Sequence, residues 1–280
     1  MACILNVRMI NEGYGKIRRT NSHCYRIKQR HIRKAVALAL VAEGANITIN
    51  YNRGKERGEK IADEIRRQGG KAIAIGANVS KEEEVRYLFT QTINQFGTVD
   101  ILVNNSGIQR DNKLVDMTLE EWQNVIQVGL TGSFLCSRAA VREFLKRGII
   151  PDRSRDAGKI IFITSVHEKI PWAGHCNYAA AKGGMMMLMK TLSLELAEYK
   201  IRINSVAPGA IKTDINKDTW QNDDKRNALI NLIPNNEIGT VDDVSKAVTW
   251  LVSDEAHYIN GTTLFIDGGM SLYPGFATGG

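Results

Sequence analysis

Tyr178 and Lys182 stand four residues apart in the run YAAAKGG, and Ser165 lies thirteen residues before the tyrosine. On a helix, side chains four apart share a face, so this spacing sets an ammonium beside a phenol. The positive charge favours phenolate and lowers the tyrosine pKa, which at about 10 is otherwise too high for a base near neutral pH. Ser165 closes the run KIIFITS, which reads as a buried strand. A hydroxyl at that strand end can hold a substrate oxygen against the phenol. The chemistry open to the three is proton transfer at that oxygen.

The elements that must position them alternate from Lys34 onward. Residues 34–43 read as a helix and 46–51 (NITINY) as a strand. Residues 53–68 form an amphipathic helix that ends at Gly69-Gly70, and 71–75 form the next strand. Ser80 with Glu83, and Thr118 with Glu121, have the spacing of capping boxes. Residues 99–104 (VDILVN) are a buried strand, and a helical stretch runs from Thr118 to about Arg147. After a polar loop at 148–158 come a strand at 159–165, a helix at 178–200 and a strand at 201–206. Residues 216–239 are polar and loosely patterned, as in a lid; a helix at 241–253 and a strand at 262–266 close the series. Such alternation predicts one α/β domain, a doubly wound parallel sheet with helices on both faces. Ligands of such sheets bind beyond the carboxyl ends of the strands. Asn104-Asn105-Ser106-Gly107, Thr164-Ser165 and Ala207-Pro208-Gly209 all follow strands and so gather at one rim.

NNSG at 104–107, Ser165, the Tyr178/Lys182 pair and PGAIKT at 208–213 resemble the motifs of the short-chain dehydrogenases/reductases, over residues 34–280. Within that family, SVHEKIPW at 165–172, YAAAKGG at 178–184 and DGGMSLYPGF at 267–276 resemble the glucose 1-dehydrogenases. The resemblance implies a Rossmann-type fold and hydride transfer between carbon 1 of β-D-glucose and a nicotinamide, giving gluconolactone. It implies that Tyr178 takes the hydroxyl proton, that Lys182 lowers its pKa and holds the nicotinamide ribose, and that Ser165 fixes the substrate oxygen. Pro208, Gly209, Ile211 and Thr213 are then expected at the nicotinamide end. Asn105, Ser106 and Gly107 line the middle of the cofactor, and Asn78 and Val79 lie on its adenine side. His167 and Glu168 are candidate sugar contacts. A homotetramer is implied as well, with the helix that carries Tyr178 and Met185-Met186-Met187 in an interface. The alternatives are a reductase of another carbonyl or polyol, and a catalytically impaired relative with a broken cofactor site.

The cofactor choice turns on the end of the second strand, where an acid would accept from the ribose 2′-hydroxyl of NAD. The chain has Asn50-Tyr51-Asn52-Arg53 there, and Arg53 can pair with a 2′-phosphate. NADP, or use of both NADP and NAD, is expected.

Three positions depart from the family. The glycine turn TGxxxGIG is missing: counting back from Lys34 puts Arg26-Ile27 at its start and His31-Ile32-Arg33 at its end. Those glycines let the backbone approach a pyrophosphate. Gly129 stands where an Asn is usual, and Asn78 where an Asp is usual. The first departure coincides with a charge anomaly. Residues 1–34 hold nine Lys/Arg and one acid, which makes them +8 of a net +7 and leaves the rest at −1. Residues 1–33 are therefore set apart from a family domain at 34–280. With suitable synonymous codons, residues 20–31 read one base later give QIAIVTGSSSGI, a first strand and glycine turn in register with Lys34. An Arg-rich, acid-poor targeting segment is the rival account.

The near-neutral body offers no nucleic-acid surface. No apolar run reaches a membrane span, and no secretory pattern is present. Cys3, Cys24, Cys136 and Cys176 include no CxxC pair and no ligand spacing with histidines. Free thiols, a cytoplasmic location and no metal are expected. Sequencing of the coding DNA across residues 20–33 is expected to uncover the glycine turn in the neighbouring frame. DNA that offers no such reading removes the frame-shift account.

Overall fold

The computed structural model describes residues 4–7, 31–214 and 216–272, the first four by their backbone alone. Arg26, Ile27 and the re-framed stretch up to residue 30 lie outside these residues, as does the end of the DGGMSLYPGF run.

Strands buried on both faces set the architecture. In β4 (Ile101–Asn104), Ile101 and Val103 enter one apolar layer and Leu102 the other. In β5 (Gly158–Ile163), Ile161 and Ile163 alternate in the same way with Ile160 and Phe162. Successive strand side chains point to opposite faces, so a run apolar at every position needs cover on both sides. The first layer is supplied by α1 (Ile32–Ala42), α2 (Lys55–Arg67) and α9 (Val241–Val252). The second comes from α3 (Glu82–Phe96), α5 (Gly132–Arg147) and α6 (Cys176–Glu195). The helices carry the matching period: α2 buries Ile61, Ala62 and Ile65, and α3 buries Val85, Leu88 and Phe89. Among the described residues no helix is long and apolar enough to cross a membrane.

The sheet adds β1 (Ile4–Val7), β2 (Asn46–Tyr51), β3 (Ala72–Gly76), β6 (Ile201–Pro208) and β7 (Thr263–Ile266), in the order β3-β2-β1-β4-β5-β6-β7. All pairings are parallel except those of β1, which runs antiparallel to both β2 and β4, with Ile4 opposite Ile49 and Val103. The expected doubly wound sheet is present, with one central strand reversed. Without a strand there, β2 and β4 would each leave a row of buried backbone groups unpaired. The ILNV run fills the central position between β2 and β4.

Local signals differ in two places. α3 starts from Lys81 rather than from Ser80. Ser80 is held by Asn78, whose Oδ1 accepts from its N–H at 3.1 Å and its hydroxyl at 2.8 Å, and Glu84 rather than Glu83 reaches back, to the Asn78 N–H. The Thr118–Glu121 box does form, and it opens α4 (Leu119–Ile126). The stretch expected to be a loose lid holds α7 (Lys217–Gln221) and α8 (Asp223–Ile230), with a small core of Trp220, Ile233 and Ile238.

At the amino ends of β5 and β6, a carboxylate is buried among cations. The Asp156 side chain is 1% exposed and accepts from Arg202 Nε at 2.7 Å and His257 Nδ1 at 2.8 Å, with Lys159 Nζ at 3.8 Å. Arg202 also donates to the carbonyls of Leu251 and Ser253, which ties α9 to the sheet. Asp156→Asn would leave Arg202 buried without its counter-charge, whereas Lys159 keeps Asp254 at 3.1 Å. The expected loss is about 3–5 kcal/mol, read as a lower denaturant midpoint at unchanged slope.

Candidate active site

One strand end and one helix bring the trio together. Ser165 lies just past β5, where it caps a 3-10 turn at Val166–Glu168, and its hydroxyl accepts from the His167 N–H at 3.3 Å. Tyr178 is in the first turn of α6, half-buried, and its phenol is hydrogen-bonded to Ser165. Lys182 follows one turn later and is buried. Its ammonium donates to the Ile163 carbonyl at 2.8 Å and lies 5.5 Å from the centre of the Tyr178 ring. Gly107, after β4, comes close enough that a Cβ there would sit 3.6 Å from the Lys182 ammonium.

The electrostatics depart from the expectation in one respect. Burial holds the Tyr178 phenol above its ordinary pKa; the Ser165 hydrogen bond opposes this, and the Asp111 carboxylate adds to the rise. The Lys182 ammonium does not offset that rise. That ammonium is turned to the Ile163 carbonyl, and burial brings its own pKa down to about 8, against the upward pull of Glu168. Helical spacing makes the two side chains neighbours, but removal from water outweighs the benefit to the phenolate.

The remaining candidates fall into three groups. Asn105 and Ser106 join Gly107 on the segment after β4, with Ser106 buried. At the end of β6, Gly209 is fixed as glycine by Asp267, whose Cα would be 2.9 Å from an added Cβ. Pro208 ends the strand, Ile211 is buried in the core, and the Thr213 hydroxyl and N–H are held by Asn216 Oδ1 at 2.7 and 2.9 Å. On the far side, Asn78 is occupied with Ser80, and Val79 packs so closely on Gly132 that a Cβ there would lie 2.8 Å from its Cγ2. Arg53 is exposed beyond β2.

The arginine coupled to the start of α1 is Arg57. It faces Arg33, whose pKa is lowered by burial and by that second guanidinium, and whose buried Nε has no hydrogen-bond partner among the described residues. α1 opens with no acid in its first turn, and His31 Nδ1 lies 3.4 Å from Asp214. An anionic group would satisfy the Arg33 Nε and screen the two guanidiniums, so these residues fit a phosphate-bearing cofactor. They do so with cationic side chains where glycines were expected.

The sequence singled out His167, Glu168 and Gly129 but not the surroundings they find. His167, Trp172 and His175 form a stack beside Tyr178, with centroids 4.4 Å apart for His167–Trp172 and 3.5 Å for Trp172–His175. The edge of Trp172 meets Tyr178 at 6.4 Å, and His175 Nε2 lies 3.3 Å from Asp111 Oδ2. Burial keeps the His167 pKa low. These residues sit on loops without period; the Trp172 within IPW was the one available hint. Glu168, expected at the sugar, is half-buried; burial raises its pKa, and the Thr164 and Thr263 hydroxyls act against that rise. Gly129 lies in a π turn (Gln127–Thr131) between α4 and α5, and its carbonyl accepts from the Ser133 hydroxyl at 2.6 Å. Such turns recur at functional sites.

A family model described as enoyl-(acyl carrier protein) reductase matches residues 27–271. The chain is 45% identical over 245 residues to 3beta-hydroxysteroid dehydrogenase 1 of Eggerthella lenta, covering 88% of this chain and 91% of that one. It is 39% identical over 244 residues to glucose 1-dehydrogenase 2 of Bacillus subtilis, with 87% and 92% covered. It is also similar to the solved structure of a gluconate 5-dehydrogenase from Burkholderia cenocepacia in complex with NADP and tartrate. There the TM-score is 0.79 at 32% identity, over 87% of this chain and 92% of that one.

A Cβ on Gly129 would meet the Ala181 Cβ at 3.5 Å, an ordinary contact, and the backbone there is not left-handed. Gly129→Ala is therefore expected to raise stability by up to about 1 kcal/mol. A lower melting midpoint would show that the π turn requires glycine.

Proposed function

The chain belongs to the short-chain dehydrogenase/reductase family of NAD(P)-dependent oxidoreductases, and on that premise we propose that it oxidises β-D-glucose at carbon 1 to gluconolactone. The observation that carries the reading is the meeting of Ser165, Tyr178 and Lys182 beside a polar wall of His167, His175 and Asp111. A polyol needs paired donors and acceptors, and that wall supplies both. The glucose 1-dehydrogenase of Bacillus subtilis at 39% identity supports the choice of sugar.

The family domain at residues 34–280, with Arg33 just before it, carries the activity in this reading. Ser165 holds the substrate oxygen, and Tyr178, as phenolate, takes its proton. Lys182 binds the nicotinamide ribose and balances the phenolate charge. Gly107 and Ser106, with Pro208, Gly209 and Thr213, line the cofactor. When bound, the nicotinamide supplies the hydride acceptor. Arg33 and Arg57 favour a phosphate, and no acid follows β2, so NADP is preferred over NAD. Phe134 and Leu145 on α5 and Met187 and Leu194 on α6 leave apolar surface exposed, which supports assembly through these helices into a homotetramer.

The hydroxysteroid dehydrogenase at 45% identity favours a second reading, in which the substrate is a ring alcohol of a steroid. Both readings place a ring hydroxyl at Tyr178. They part on turnover of β-D-glucose and of a 3β-hydroxysteroid, each with NADP and NAD. Reduction of NADP with glucose alone is expected, and reduction with the steroid alone overturns the sugar reading. Tyr178→Phe is expected to lower kcat/KM roughly 10²–10⁴-fold with the cofactor still bound.

A further inference from the structure

Asn177 is fully buried in the first turn of α6, one residue before Tyr178. Asparagine is a poor helix former, and a buried amide is costly unless its donor and acceptor are both bonded. Here both are. Its Oδ1 accepts from the Tyr178 N–H at 2.7 Å. Its Nδ2 donates to the Arg110 carbonyl at 2.7 Å and reaches the Glu121 carbonyl at 3.5 Å.

The first bond follows from how α6 begins. The first N–H groups of a helix have no partner within it, and the N-cap side chain ordinarily accepts from one of them. The N-cap of α6 is His175, whose side chain makes no such bond. Its ring is turned elsewhere, with Nδ1 2.9 Å from the Ala173 carbonyl and Nε2 3.3 Å from Asp111 Oδ2. Asn177 takes over the duty, and does so at the residue that carries the phenol.

The second bond follows from the segment after β4. Residues 110–117 meet the start of α6 at successive positions. The Asn112 N–H donates to the Gly174 carbonyl at 3.0 Å, Asp111 faces His175, and the Cys176 thiol lies 3.6 Å from the Met117 sulfur. The contact between Asn177 and Arg110 completes the series, and its amide also holds the Tyr178 backbone. The Tyr178 ring lies at the end of this connection, edge-on to His167 and Trp172 with centroids 6.3 and 6.4 Å away.

We propose that Asn177 is a positioning residue for the oxidoreductase reaction. Through its amide the segment after β4 fixes the first turn of α6, and with it the Tyr178 ring against His167 and Trp172. This deepens the function proposed above and rests on the role given there to Tyr178. Asn177 is buried, so it acts through the tyrosine backbone rather than by touching the alcohol.

The test reads the Tyr178 ring and the reaction separately. Protein carrying ¹³C in its tyrosine rings is observed by NMR with NADP added, and the Tyr178 signals are assigned by their loss in Tyr178→Phe. The neighbouring rings displace these signals from the positions of free tyrosine. In Asn177→Ala they are expected to move back toward those positions, while the signals of Tyr51, on β2, stay in place. Asn177→Asp keeps the shape and the acceptor for the Tyr178 N–H, but its carboxylate has no donor for the Arg110 carbonyl. It is expected to move the Tyr178 signals the same way by less, and it covers the case in which Asn177→Ala fails to fold. In kinetics, Asn177→Ala is expected to lower kcat roughly 10–10²-fold, with KM for the alcohol and Kd of NADPH changed by less than about threefold. Tyr178 signals unmoved in both variants overturn the proposal. So does a loss of activity that falls on KM or Kd and spares kcat. Its failure is separable from that of the substrate reading. Lack of turnover with every alcohol overturns the activity and leaves the ring signals to judge Asn177, whereas turnover with unmoved signals overturns the positioning role alone.

Discussion

An ammonium taken out of water needs an acceptor for its protons and negative charge within reach, or it gives up its proton. Lys182 has the Ile163 carbonyl at 2.8 Å and the Glu168 carboxylate acting on it, and burial still brings its pKa down to about 8. Much of the surrounding structure serves that compromise. β5 must end at Ile163 to aim a carbonyl at α6. The chain turns at once after Ser165, and that turn packs on α6. Gly107 lies on another side of the ammonium, where an added Cβ would make an ordinary contact at 3.6 Å. Tyr178, one turn earlier, then lies in the same poorly solvated space, and for that reason its phenol is raised rather than lowered.

The sheet makes these meetings possible because its strands run the same way. β4, β5 and β6 deliver their carboxyl ends to one rim, and the residues just past each end become neighbours without being close in sequence. The opposite rim holds the reverse arrangement, in which Asp156 is the buried group and Arg202, Lys159 and His257 attend it. One end of the sheet secures the fold with a carboxylate among cations. The other prepares for chemistry with a cation that is incompletely matched.

The trio and the strands were legible because each has a period. Residues 46–51 alternate, and the structure has β2 over those same residues. Tyr178 and Lys182 share a helical face at spacing four, and the Thr118–Glu121 box opens α4 as written. What was not legible depends on direction and dielectric. The His167–Trp172–His175 stack comes from irregular chain, where no spacing rule says which rings will meet. Glu168 looked like a rim residue, but it is half-buried and its pKa is raised by that burial. The Ser80 box lost to a local alternative in which Asn78 captured the serine. The reversal of β1 has no marker in its four letters, since an apolar strand reads the same in either direction.

That reversed strand bears on how the chain reaches its native state. Ile4 pairs with Val103, ninety-nine residues later, and with Ile49, so β1 joins two parts of the sheet made well after it. Contacts that close long loops form slowly, because the loop entropy is spent before the contact returns anything. Until β1 docks, β2 and β4 present open edges able to pair with another chain. The centre of the sheet is thus the last part to become safe. Yield on refolding should depend on protein concentration more steeply than the well-covered core alone would lead one to expect.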